Sequence, residues 1–172
     1  MKRLLAILLL LVLTAGLVSC NKEDAPDGMV NAAAENATFY LYVPEAWVPR
    51  NELSAAYAPN NDGSNVNVTA YMMDELYTAQ TYWENKASVE LASVFTEFAL
   101  VEAECGDTTL AGMEAKRYVY DASLGGTKYR FMQIITVAGN TTVYTLTYTA
   151  KTEQFSTHLE DVEDIRANFA LK

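Results

Sequence analysis

The side chains of this 172-residue chain that could do chemistry are two cysteines, one histidine and 22 carboxylates. His158 has no second histidine to pair with, so catalysis or metal binding through two imidazoles is ruled out. On a helix, Gln154 four residues before it and Asp161 three after fall on its side, a set that would make at most a weak divalent site. The plainer reading is a solvated helix histidine beside a buried Leu159. Among the acids, Glu160-Asp161-Val162-Glu163-Asp164 reads as the wet face of that helix, with cation binding the sharper alternative. Asn60-Asn61-Asp62-Gly63-Ser64-Asn65 lacks the alternating carboxylates and closing Glu of a calcium loop, so it reads as a turn. Glycoside hydrolysis needs two carboxyls at fixed separation with one pKa raised, and an acidic composition alone does not supply that. Gly125-Gly126 sits between strands and not before a helix, so no phosphate loop is expected. The expectation is no catalytic residue, no metal site and no cofactor.

The remaining reactive group is Cys20. It follows Lys2, Arg3 and an apolar run from Leu4 to Val18, the order of a secretory signal: charged start, apolar middle, small residue before the cut. Leu17-Val18-Ser19-Cys20 resembles a bacterial lipobox, which implies cleavage between Ser19 and Cys20 and lipid on the Cys20 sulfur. The run holds 15 residues, short of the roughly 20 that a helical membrane span needs. A cleaved signal without lipid and an uncleaved anchor are the alternatives. Two acyl chains hold a protein stably where one does not, at about 0.8 kcal/mol per buried CH₂. The expected address is therefore the cell membrane, lipid-anchored, on the extracytoplasmic face.

Once residues 1–19 are cleaved, 153 remain, enough for one domain with a real core. Ten basic side chains then stand against 22 acidic ones, a net charge of −12. Nucleic-acid binding runs on Lys and Arg neutralising phosphates, so this balance argues against it. Cys105 is left without a partner in the chain, which excludes a disulfide framework. Acidic neighbours such as Glu104 do nothing to activate its thiol, and it reads as inert, with intermolecular pairing the alternative.

The elements follow from spacing. Residues 21–37 are small and polar and read as a flexible tether with a mean reach of about 23 Å. The folded domain is expected over 38–172. Phe39, Leu41 and Val43 alternate with Tyr40 and Tyr42 in a strand ending at Pro44. Ser54–Ala58 is a weaker strand, and Asn65–Met72 alternates again with Val66, Val68 and Ala70 on one face. Trp83, Ala87, Leu91, Val94 and Phe98 are spaced four, four, three and four, which predicts a helix from about Ala79 to Phe98. Leu100–Ala103 and the stretch from Thr108 to Gly112 read as short strands, followed by Ala115–Ala122, Lys128–Val137 and Thr142–Ala150. Gly125-Gly126 is a hairpin signal. Phe131 to Val137 is apolar at both parities, so it lies mid-sheet with layers on both sides. The Thr145, Thr147 and Thr149 face of the next strand suggests an edge. A last helix, capped by Thr152, would bury Phe155, Leu159, Val162 and Ile165, with Phe169 beyond. The 11 tyrosines, six of them on strands, read as core and sheet packing, with an aromatic binding surface as the alternative. The fold class is α+β: a mostly antiparallel sheet sandwiched between helices.

Phe39-x-Leu41-x-Val43-Pro44-x-x-Trp47, then Ser64-Asn65-Val66-x-Val68, Tyr82-Trp83, the Gly112–Tyr120 and Tyr129–Val137 strands and the Phe155–Phe169 helix occur in an order that resembles the PsbP-like group. That is the Mog1/PsbP fold, which includes small bacterial lipoproteins such as the DcrB-like ones. The resemblance covers about residues 38–171 and implies an accessory or binding role without catalysis, with a protein or small-ligand partner. A carboxylate-based cell-surface hydrolase and an acidic cation-binding module are the alternatives.

Overall fold

The computed structural model describes residues 25–139 and 141–172. Its centre is an eight-stranded antiparallel sheet. The strands are β4 (Val48–Arg50), β5 (Ala55–Tyr57), β6 (Asn65–Met72), β11 (Thr142–Lys151), β10 (Thr127–Ala138), β9 (Met113–Leu124) and β7 (Thr96–Leu100), in that spatial order, with β8 (Gly106–Leu110) also paired to β9. Two small sheets flank it: β1 (Met29–Asn31) with β3 (Tyr42–Pro44), and β2 (Phe39–Tyr40) with β12 (Ala170–Leu171).

The β9–β10 hairpin turns at Gly125 and Gly126, both at positive φ (58° and 81°). A two-residue loop matched to strand twist needs both central residues there, which is why glycine occupies both places. β10 lies between β9 and β11 and packs on both faces, as its double apolar parity requires. On one face Met132 and Ile134 join Val66, Val68, Leu146 and Val119 under α3 (Leu159–Asn168), whose Val162 and Ile165 are buried. On the other, Phe131 and Ile135 join Tyr120, Ala122 and Val143 under the segment that begins with α1 (Ala79–Tyr82) and ends with α2 (Ser88–Val94). Helices thus lie on both sides of a mostly antiparallel sheet, which is the expected α+β arrangement.

Four expectations are corrected. The body begins before residue 38: β1 pairs with β3, and Ala32 and Ala33 are buried, because the Asn31 side chain accepts from the backbone N–H groups of Ala33 and Leu41 and fixes the chain there. β11 is interior, paired to β10 and β6, so its threonine face is not an edge signature. The first helical segment stops at Val94, and Phe95 and Glu97 are already extended and left-handed respectively. Between α1 and α2 lies a π turn, Trp83–Ala87, which adds one residue to the helical repeat. That rotates Phe95 onto the sheet and leaves Val94 72% exposed. Finally, Thr152 does not cap α3. It starts a 3-10 turn, Thr152–His158, that leads into the helix, and its hydroxyl has no hydrogen-bond partner among the described residues.

Candidate functional site

The helical segment covers only part of its face of the sheet. Strand register shows what the rest presents. Val48, Tyr57, Asn65, Thr149 and Phe131 form one rung across five strands, and Ala55, Asn67, Thr147 and Gln133 form the next. Thr69 pairs with Thr145 in the third. Phe131 and its neighbours on β9 lie beneath the helices, whereas the β11, β6 and β5 portions are only partly covered. The result is an open groove of about 480 Å³, within the usual size of ligand sites.

Its floor is neutral and hydrogen-bonding: Asn65, Asn67, Gln133, Thr145, Thr147 and Thr149. Gln133 Oε1 is buried without a partner among the described residues. One wall is Leu91, Val94 and Phe95 at the end of the helical segment. Tyr82 closes the upper end, its phenol pKa raised by burial and by the charge of Glu90, so it stays a neutral donor at pH 7. Among the described residues Glu90 is the one carboxylate lining the groove, and no lysine, arginine or histidine lines it. A surface of this kind can take up an uncharged, hydrogen-bonding ligand.

A second depression, about 820 Å³, lies between the start of α1 and the β8–β9 hairpin and includes Asp107, Glu114 and Lys116. Asp107 and Lys116 are already paired with each other there.

Of the residues singled out from sequence, Ser19 and Cys20 lie outside the described residues. Cys105 is half-buried, its Sγ accepting from Val119 N–H at 3.3 Å, and its surroundings are those of a packed thiol. His158 is the clear correction. It is 7% exposed and not solvated. Its Nε2 lies 2.8 Å from Asp62 Oδ2, its Nδ1 3.7 Å from Asp161 Oδ2, and its ring meets Trp47 edge-on at 5.7 Å. Leu159, expected to be buried beside it, is only half-covered, because the 3-10 turn rotates His158 inward in its place. Asp161, expected in solvent, accepts the Trp47 indole N–H at 2.9 Å. The 60–65 loop is a turn, with left-handed Asn60 and Asn61, and Asp62 Oδ1 accepts from Ser64 N–H at 2.7 Å. Its function is structural: it brings Asp62 to His158. Asp62 has a pKa below the ordinary 3.8; burial pushes it up, but hydrogen bonds from His158 and Ser64 and electrostatic attraction to His158 outweigh that. Arg130 forks onto both Asp121 oxygens and reaches Glu104, a surface network on the α3 side of the sheet. Among the tyrosines, Tyr120 and Tyr148 are core, and the Tyr148 hydroxyl donates to the Phe155 carbonyl at 3.0 Å.

The groove itself was not foreseen. The signals for it were Asn65 and Asn67 on β6 and the three threonines of β11, all facing away from the apolar side of their strands.

No protein-family model matches the chain, and no curated protein does. Solved structures do. LpqN, involved in cell envelope biogenesis of Mycobacterium tuberculosis, is similar at 19% identity and a TM-score of 0.61, over 84% of this chain and 89% of its own. The cyanobacterial PsbP (CyanoP) of Synechocystis sp. PCC 6803 is similar at 12% identity and a TM-score of 0.58, over 91% and 99%. The Ran-binding protein Mog1p of Saccharomyces cerevisiae is similar at 6% identity and a TM-score of 0.55, over 83% and 95%. Identities this low carry architecture and nothing finer. The chain has the Mog1/PsbP fold.

Proposed function

We propose that this chain is a bacterial lipoprotein, anchored by lipid on Cys20 at the extracytoplasmic face of the cell membrane, whose folded body binds a protein or small ligand without catalysing a reaction. The observation that carries the reading is the half-covered sheet face, a groove with a neutral floor and one apolar wall. The anchor rests on Leu17-Val18-Ser19-Cys20 at the end of the apolar run. Two fold neighbours are in keeping with it: one is named for cell envelope biogenesis and one for binding another protein. With β1 starting at Met29 and the Gly28 carbonyl already accepting from Glu45 N–H, the spacer after Cys20 is shorter than residues 21–37, which keeps the body close to the bilayer.

The hydrolase alternative needs two carboxyls converging in one cleft: among the described residues the groove offers Glu90 alone, and in the second depression, which holds Asp107 and Glu114, Asp107 is already paired with Lys116. The cation-binding alternative draws on the acids of the last helix, of which Asp161 is tied to Trp47 and Glu163 to Arg166, leaving Glu160 and Asp164 exposed. Intact-mass analysis of protein from membranes tests the anchor: residues 1–19 absent and acyl mass present. Cys20→Ser should leave the protein uncleaved or released into the medium. Unchanged mass and membrane fractionation in that variant refutes the lipid.

A further inference from the structure

Resting on the binding role proposed above, we infer that the groove takes an extended, uncharged or basic stretch of another polypeptide, lying along β6 and β11. Three features of the surface select that occupant.

The first is width. The helical segment lies over β9 and β10, and the face left open spans β11, β6 and β5. Strands lie about 4.8 Å apart, so the uncovered face is roughly 10–14 Å across, the width of one extended chain with its side chains. The second is the spacing of the floor. Asn65 and Asn67 on β6, and Thr147 and Thr149 on β11, recur every second residue on the same face. That is a repeat of about 6.8 Å, the two-residue repeat of an extended backbone. An extended backbone offers unpaired N–H and C=O groups at this interval, whereas a helix has already satisfied its own. Side-chain amides can both donate to and accept from such groups, and Gln133 Oε1, buried and unpartnered among the described residues, is an acceptor in want of an N–H. The third is the flanks. Leu91, Val94 and Phe95 stand on one side and the exposed Val48 and Tyr57 rung on the other, so alternate side chains of the occupant meet apolar surface. Tyrosine is among the side chains that most often anchor recognition. Glu90 on the wall, the lack of any cationic side chain among the described lining residues and the net −10 of the chain disfavour an acidic stretch.

The test places a photoreactive benzophenone amino acid at Tyr57 in the full chain, expressed in its own cells, with the same probe at Glu160 on α3 as control. The expected result is a light-dependent adduct at Tyr57, absent at Glu160, that maps to one stretch of another protein. That stretch, made as a synthetic peptide, should bind the purified wild type and bind Thr147→Arg at least tenfold more weakly. Tyr57→Ala, on the exposed rim, should weaken it several-fold and keeps the test valid if Thr147→Arg fails to fold. Adducts to lipid, to saccharide or to a second copy of this chain overturn the inference, as does no adduct beyond the control, or equal binding by all variants. Fractionation of the same cells separates the two readings: a membrane-bound chain without adduct sinks this inference alone, and a soluble chain with the adduct sinks only the anchor.

Discussion

The pairing of Asp62 with His158 joins residues 96 apart and fastens the 59–64 loop to the start of α3, and its strength can be measured. Both side chains are largely buried, at 15% and 8% exposure, and the bond is 2.8 Å long with a charged acceptor. Such a bond contributes about 1.5–3 kcal/mol. His158→Ala also leaves a void where the imidazole met Trp47, so its total cost should be about 3–4 kcal/mol. The coupling between the two side chains is isolated by a cycle of Asp62→Ala, His158→Ala and the double variant, followed by urea denaturation monitored through tryptophan fluorescence. We expect a coupling energy of about 1.5–3 kcal/mol. Asp161→Asn paired with His158→Ala should couple by under about 1 kcal/mol, because that carboxylate is 40% exposed and 3.7 Å away. A coupling below about 0.5 kcal/mol for the first cycle refutes the bond as a stabilising contact.

The same pair fixes a pH dependence. The folded pKa of Asp62 is lowered, so near and below pH 4 the unfolded chain binds more protons at this site than the folded one. The stabilisation is therefore fully present above the unfolded value of about 3.9 and is lost as pH falls through the folded value. The stability gap between wild type and Asp62→Asn should close in that window. A gap that is constant from pH 6 to pH 3 would contradict the assignment.

Other perturbations address the remaining claims. Deleting residues 21–25 should leave the melting temperature unchanged, because Pro26 and Gly28 already accept from Met29 and Glu45 N–H, whereas deleting 21–34 removes β1 and the buried Ala32 and Ala33 and should cost at least about 2 kcal/mol; equal melting of both deletions would return the boundary to residue 38. Tyr148→Phe, which strands the Phe155 carbonyl, should cost about 1–2 kcal/mol in denaturant, and the phenol itself, pushed up to about 12 by burial, should show no titration below pH 11 in ultraviolet absorbance. Val94→Asp should change stability by less than about 0.5 kcal/mol while Phe95→Ala, packed 5.2 Å from Phe131, costs about 2–3 kcal/mol; the reverse order would mean the helical register is regular.

What could be read from sequence was what local periodicity dictates. β6 runs from Asn65 to Met72 as its alternation implies, and the Gly125-Gly126 turn and the central place of β10 follow from two glycines and a doubly apolar run. The helical segment was legible in kind and not in phase. On a regular α-helix, steps of four advance by about 40° beyond a full turn, so Trp83, Ala87 and Leu91 drift around the surface. Spacing alone invites a step of three to Val94 to correct the drift. The π turn corrects it instead, by winding one more residue into the turn, and the stripe continues four residues on at Phe95.

The candidate site was less legible, because its residues are informative only in combination across strands. Thr145, Thr147 and Thr149 read along β11 alone describe a strand with one poor face, and a poor face usually means an edge. Flanked by Asn65 and Asn67 on one side and Gln133 on the other, the same threonines form a polar floor in the middle of a sheet. A strand buried on both sides does better with apolar residues at both parities, as β10 has, and β11 has them on one side only. Leaving a row of hydroxyls and amides where a second helix could have packed sacrifices apolar burial along three strands, of order 25 cal/mol for each Å². A fold that needed only to be stable would cover that face or make it greasy. Here it is neither, and binding something polar accounts for that better than packing does.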